Sequence, residues 1–249
     1  MHDHKPYRVS VVNYTNSIPF VHGLKGLAKN GLITLSEDIP SVCADKLLSG
    51  QVDIGLVPVA MLSRMQQHFV IPGYCIGAEG AVNSVMLFSE VPLSEIETIE
   101  LDYQSRTSVM LLKLLAKDFW KITPRFEVAE PGFENQIGGK RAALVIGDRS
   151  FPLLGKHPYT YDLAEEWFKH TGSPFVFACW ASREKLPDAF INQFNQALAL
   201  GIAAREELCR NLPDADFIYT YLTKFISYPL TDAKLKAMHH FLARIKDLT

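Results

Sequence analysis

Cysteine is scarce in this chain and never paired. Its four residues, Cys43, Cys75, Cys179 and Cys209, lie far apart with no Cys-x-x-Cys spacing. Neither a zinc-binding pair nor a dithiol redox motif is present, and buried reduced thiols are expected. An excess of charge is missing as well. With 25 Lys and Arg against 27 Asp and Glu, the net charge is -2 and no long run of one sign occurs. Such a balance offers no general field to a nucleic acid or an anionic membrane, so neither is expected as a partner. No apolar run reaches the about 18 residues of a membrane-spanning helix. The first residues lack a basic stretch followed by an apolar core and a small-residue cleavage site. No secretory signal is expected, and the cytoplasm is the expected compartment.

Motifs for phosphate, nucleotide and metal are also wanting. Gly138-Gly139-Lys140 lacks the spacing of a P-loop, and Gly73, Gly77 and Gly80 do not form the dinucleotide fingerprint. The zinc-protease and nucleophile-elbow signatures are absent. Eight histidines are scattered. His239 and His240 are adjacent on a predicted helix and point apart, while His2 and His4 near the start of the chain offer at most a loose grip on a metal. No metal and no organic cofactor are expected.

What is present is an ordinary globular composition, 48% apolar and 21% charged, over 249 residues. That length allows one large core or two of roughly 100–150 residues each. The first part alternates: an apolar strand over 7–13, a helix over 18–28 stopped near Gly31, an extended stretch at 33–36, a helix over 41–48 stopped at Gly50. Residues 52–59 are continuously apolar, as in a strand buried on both faces of a parallel sheet. Residues 60–65 open a short helix, and 69–88 read as strands and tight turns. A second unit begins near Pro92, with strands at 98–102, 125–129 and 142–146, helices at 107–119 and 163–170, and a very apolar strand at 174–181. Beyond it, Phe190, Phe194, Leu198 and Ile202 recur at four-residue spacing, which predicts one long helix over 187–208. Two more helices follow at 216–225 and 231–247.

Strand–helix units followed by terminal helices predict an α/β architecture. No flexible linker intervenes. Residues 1–88 with 182–249 are read as one lobe and 89–181 as the other, with crossings near 83–88 and 175–181 and the terminal helices packed on the first lobe. Two crossings of that kind create an interlobe cleft, a favoured ligand position.

Polar clusters stand where apolar elements end. In Asn13-Tyr14-Thr15-Asn16-Ser17, amides and hydroxyls can meet a carboxylate or hydroxyl, or Asn16 or Ser17 simply caps the next helix. In Asp102-Tyr103-Gln104-Ser105-Arg106-Thr107-Ser108, a helix start with its unsatisfied N–H groups suits an anion, although capping also explains the hydroxyls. Asn83 and Ser84 mark either a turn or a hydrogen-bonding pair at the proposed crossing. Asp148 either orients Arg149, receives a ligand hydroxyl or closes a turn. From the residues alone, the reading reaches an anion-binding α/β protein and no reaction.

The same clusters carry a resemblance that runs in order along nearly the whole chain. Tyr14-Thr15-Asn16-Ser17-Ile18-Pro19-Phe20, Gly50-Gln51-Val52-Asp53-Ile54-Gly55, Asn83-Ser84-Val85-Met86-Leu87-Phe88-Ser89, Ser105-Arg106-Thr107-Ser108-Val109, Ile146-Gly147-Asp148, Tyr161-Asp162-Leu163 and Pro174-Phe175-Val176-Phe177-Ala178 together resemble the chorismate dehydratase family. That family opens the futalosine route to menaquinone. The resemblance implies a two-lobed fold like the type II periplasmic binding proteins, closing on its ligand, yet located in the cytoplasm. It implies a hydro-lyase that takes water from chorismate, giving 3-[(1-carboxyvinyl)oxy]benzoate without cofactor; the sequence leaves monomer and homodimer both open. Asn16 matches the family's active-site asparagine, Ser84 its substrate-contacting serine, and the Ser105–Ser108 stretch its polar helix start. Ser17, Asn83, Arg106, Thr107 and Asp148 complete the expected substrate contacts. Thr15 stands where leucine is common and Ser17 where threonine is usual. Two alternatives are weighed beside it: the related 1,4-dihydroxy-6-naphthoate synthase, whose early His- and Cys-containing signature is absent here, and a noncatalytic anion-binding protein of the same fold.

Overall fold

The computed structural model describes residues 5–248; His2 and His4 lie outside the described residues. The opening alternation is realised as β1 (Tyr7–Val12), α1 (Ile18–Lys29), β2 (Ile33–Asp38), α2 (Pro40–Leu48), β3 (Ile54–Pro58) and β4 (Phe69–Ala78). Prolines at the first turns of α1 and α2 suit positions whose N–H has no helical partner. Past α2, Gly50 turns with φ +74, in the left-handed region that favours glycine. All five residues of β3 are buried, as its unbroken apolar run requires. Its neighbours, however, are mixed: β1 pairs with β2 and β3 in parallel, whereas the strand on the other side of β3 runs antiparallel. The residues after β3 make a 3-10 turn over Val59–Arg64 rather than an α-helix.

Next come β5 (Val85–Ser89), β6 (Thr98–Leu101), α3 (Thr107–Leu115), β7 (Arg125–Val128), β8 (Arg141–Ile146), β9 (Tyr159–Asp162) and α4 (Leu163–Thr171). The helix read over 107–119 ends its α-helical part at Leu115 and continues as a π-helical turn, Ala116–Trp120. Gly172, with φ +66, closes α4 as expected. These strands form a five-stranded sheet in the order β7-β6-β8-β5-β9. Within it β6 is parallel to β7 and β8, and β5 is antiparallel to β8 and β9.

The remainder comprises β10 (Phe175–Ser182), α5 (Asp188–Ala203), α6 (Arg205–Cys209), α7 (Ala215–Thr220), β11 (Ser227–Leu230) and α8 (Asp232–Ile245). The other sheet has six strands in the order β11-β4-β10-β3-β1-β2. The single helix expected over 187–208 is broken at Ala204, whose ψ is 5°. There Arg205 donates from Nε to the Ile202 carbonyl and from Nη1 to the Leu222 carbonyl, giving the end of α5 a side-chain cap. The helix read over 216–225 is likewise shorter, with a π-helical turn over Tyr221–Phe225.

The chain divides into two units, Met1–Ile76 with Ala178–Thr231, and Gly77–Phe177 with Asp232–Thr249. This differs from the division expected at 88/89 and 181/182: residues 178–181 pair with β3 and go with the first unit, and two larger differences have their own physical reasons. The strand β5 pairs with β8 and β9, so it goes with the second unit. The last helix goes there too, because Phe241 of α8 packs edge-on against Trp167 and Phe175, with ring centres 6.1 and 5.0 Å apart.

Candidate active site

In the first unit, the chain leaves the carboxyl end of β1 and makes one 3-10 turn, Thr15–Ser17, before α1. Asn16 and Ser17 are buried. The residues at the two cap positions, Tyr14 before the turn and Ser17 before α1, make no side-chain cap. The Asn16 amide is held otherwise. Ser17 Oγ donates to its Oδ1 at 3.1 Å, and its Nδ2 donates to the Tyr221 hydroxyl at 3.4 Å. Its backbone carbonyl accepts from the Tyr228 hydroxyl at 2.9 Å. Burial keeps Tyr228 protonated well above the ordinary phenol range. Two tyrosines more than 200 positions away therefore fix the turn that presents Asn16.

In the second unit, the antiparallel pairing of Val85 with Ile146 sets the start of β5 beside the end of β8. The Gly147 N–H donates to the Ser84 carbonyl at 2.8 Å. From β6, Asp102 reaches the same edge and accepts from the Ile146 N–H at 3.0 Å. Ser84, Asp148 and the loop before α3 are thereby gathered at the carboxyl ends of β6 and β8, a usual ligand position in α/β sheets. Ser84, Ser105, Thr107 and Ser108 are buried, Asn83 and Asp148 half-buried, and Arg106 exposed. Ser105 Oγ accepts the Ser108 N–H at 3.1 Å, so this hydroxyl does serve the helix start.

Two buried carboxylates shape these loops. Asp102 takes both of its oxygens to Arg149 Nη2 at 2.7 and 2.6 Å and accepts the Gln104 N–H at 2.9 Å. Burial is the largest influence on this carboxyl and raises it above its ordinary range, against the pull of Arg149 and the two amides. Arg149 also bonds Glu134 at 2.7 Å, and its guanidinium lies 5.1 and 5.7 Å from the ring centres of Tyr103 and Phe133. Asp162, the last residue of β9, accepts four backbone N–H groups, from Val82, Asn83, Ala164 and Glu165. Neither carboxylate has an oxygen free of donors, so neither is set up as a general base. Among the described residues, no group of three or more His, Cys, Asp or Glu side chains is placed to hold a metal. The clusters thus offer hydroxyls, a neutral amide and a helix start, a set that suits the binding and orientation of anions.

Tyr221 and Tyr228 escape the sequence-based view of the site, while Arg149 enters it only as a partner for Asp148 and Asp162 only as part of the resemblance. Tyr221 and Tyr228 sit in apolar surroundings that read as core, and Asp162 stands at the entry to a helix where any Asp reads as a cap.

The family model described as menaquinone biosynthesis matches residues 7–247. A curated protein of Thermus thermophilus named chorismate dehydratase is 31% identical over 224 residues, covering 82% of this chain and 80% of that one. Among solved structures, an Archaeoglobus fulgidus protein superposes with a TM-score of 0.73 at 14% identity, covering 99% of this chain and 98% of that one. The periplasmic aliphatic sulphonate binding protein of Escherichia coli gives 0.61 at 16% identity, with 99% and 87% covered. A Candida albicans protein described as having the generic periplasmic binding protein fold gives 0.62 at 13%, with 98% and 91% covered. At such identities the likeness is one of fold, and the fold is the periplasmic-binding-protein one expected.

Proposed function

This chain belongs to the menaquinone biosynthesis family, and we propose that within it the protein is a chorismate dehydratase. It is a carbon–oxygen lyase of the cytoplasm at the head of the futalosine route, and it converts chorismate to 3-[(1-carboxyvinyl)oxy]benzoate and water. The observation that carries this reading is the 31% identity, over 82% of the chain, to a protein of that name.

Chorismate bears a hydrogen on the ether-linked ring carbon, conjugated through the diene to the ring carboxylate. Removing that proton and the neighbouring hydroxyl aromatises the ring. The enolpyruvyl carboxylate on the adjacent oxygen takes the proton, the carbon–oxygen bond breaks with its electron pair, and the departing hydroxide recovers the proton as water. A substrate that brings its own base asks the protein for orientation and charge stabilisation, which fits loops whose buried carboxylates, Asp102 and Asp162, are fully bonded. We assign Asn16 to orientation of the reacting carboxylate or the departing hydroxyl, since a neutral amide is a poor base. Ser17, Asn83, Ser84 and Asp148 are assigned as substrate contacts. Ser105, Arg106, Thr107 and Ser108 are assigned to the ring carboxylate, where negative charge grows during the elimination.

The direct test incubates purified protein with chorismate and follows the products by mass. The expected product is lighter by one water and aromatic in its ultraviolet spectrum. Chorismate bound but unchanged would support a noncatalytic binding protein of the same fold instead.

A further inference from the structure

We propose, resting on the dehydratase reading above, that Asp162 is a positioning residue that sets the substrate contact Ser84 by holding the turn before it. Helix capping accounts for only half of what this side chain does. One oxygen, Oδ1, accepts the Ala164 and Glu165 N–H groups at 3.0 and 3.2 Å, as an N-cap does. The other, Oδ2, accepts the Val82 and Asn83 N–H groups at 2.8 and 2.7 Å, shorter bonds to a segment about 80 positions earlier.

Asn83 has φ +56, in the left-handed region that L-residues seldom occupy. Two successive N–H groups with such a turn between them form a concave anion receptor. Here the chain fills its own receptor, with Asp162. The consequence falls on Ser84, the next residue, which is buried. On one side its backbone is fixed by the grip on Asn83, and on the other its carbonyl accepts the Gly147 N–H at 2.8 Å. Pairing of Met86 with Asp162 in the β5–β9 ladder keeps the carboxylate in register with the turn. A hydroxyl aimed at a substrate must be held to within about half an ångström, and Asp162 holds the backbone that carries it.

The test separates the two halves of the side chain. Asp162→Ser keeps an oxygen that caps α4 almost as well as Asp, but it has no second oxygen for Val82 and Asn83. Asp162→Asn, isosteric with the native residue, keeps the cap and turns an NH2 toward two N–H donors. Both folded variants are expected to raise KM for chorismate at least tenfold with a smaller change in kcat. A role confined to the helix would lower the active fraction and leave KM in place. Ser84→Ala alone should give a similar rise, and Asp162→Asn with Ser84→Ala should be no worse than the weaker single variant. An unchanged KM in folded Asp162→Asn, or losses that multiply in the double variant, would overturn the assignment while wild-type turnover keeps the dehydratase reading intact. Wild-type inactivity toward chorismate would remove that reading, and this assignment with it.

Discussion

At the scale of single residues, Asn16 is the position where chemistry and structure separate most cleanly. It does not stand at the cap position of α1, which is Ser17, and its side chain is held by Ser17 and Tyr221. Asn16→Asp keeps an acceptor for Ser17, and the Tyr221 hydroxyl can turn to donate, so the fold should persist. Its new negative charge would face the substrate's carboxylates, and turnover at saturating chorismate should collapse. Asn16→Ala should lower turnover by at least ~100-fold, the scale of a misplacement of about an ångström. Near-normal turnover of folded Asn16→Asp would remove the catalytic assignment. Arg106 is exposed and poses a milder question. If it meets a carboxylate that is charged before the reaction starts, Arg106→Ala should raise KM more than it lowers kcat; unchanged constants would take it out of the site. Asn16, Ser84 and Ser105 are legible in the sequence because polar residues break out at the ends of apolar runs. Tyr221, Tyr228 and Asp162 are not, because what they do depends on partners about 80 to more than 200 positions away.

At the scale of elements, the turn that carries Asn16 depends on how closely α1 approaches α5. A Cβ on Gly201 would stand 1.8 Å from the Pro19 carbonyl oxygen, and one on Gly23 would stand 1.9 Å from that of Ala197. Both obstacles are backbone, so neither can swing aside. Replacing a helical glycine by alanine ordinarily gains up to about 1 kcal/mol, whereas overpacking costs typically about 1–3 kcal/mol. Gly201→Ala should therefore be net destabilising, and thermal melting should show a lower Tm. Because the displaced atom belongs to the first turn of α1, turnover should fall as well; an equal or higher Tm would contradict the close approach. Elements with an apolar period and a glycine stop, such as α1, α2 and α4, are readable from sequence alone. The edge strands β9 and β11 are not. Most of β9 is exposed or half-buried, and the four residues of β11 are interrupted by an exposed proline, which an edge tolerates but which argues against a strand in the sequence. The break after α5 is equally silent, since it is made by an arginine side chain rather than by a glycine or proline.

For the whole molecule, α/β class follows from the strand and helix order, but unit membership does not, because β5 and α8 are assigned by pairing and ring packing that no local pattern announces. Shifted carboxyls are of two kinds: the lowered ones occur in both units, with Glu97 and Glu127 of the second held low chiefly by bonds to Lys140 and Arg141, whereas the raised ones all lie in the second. In the first unit, Asp38 bonds Lys46 Nζ at 2.7 Å and the hydroxyls of Ser10 and Ser36 at 2.8 Å each. Burial alone would raise this carboxyl, but those donors outweigh it and hold it below its ordinary value. Asp53, bonded to Arg8 at 2.6 Å, is likewise held low, chiefly by that bond. In the second unit, burial raises Asp102 and Asp162. A carboxyl held low binds fewer protons in the folded chain than in the unfolded one, so its stabilisation is present above about pH 4 and lost as pH falls below it. A raised carboxyl has the opposite sign: the folded chain takes its proton first, and its contribution declines as pH rises above that same point. In the second unit the raised pair offsets the lowered Glu97 and Glu127, an offset absent among the described carboxyls of the first, so acid should loosen the first unit before the second. Amide hydrogen exchange at pH 3 is expected to quicken first in β1, β2 and α2, with β6 and β8 still protected. Asp38→Asn should lower Tm at pH 7, where the charged pair is lost, and should narrow the gap between pH 7 and pH 3, because the variant no longer has this proton to bind. A gap as wide in Asp38→Asn as in the wild type would show that the acid sensitivity of the first unit lies elsewhere than in the Asp38–Lys46 cluster.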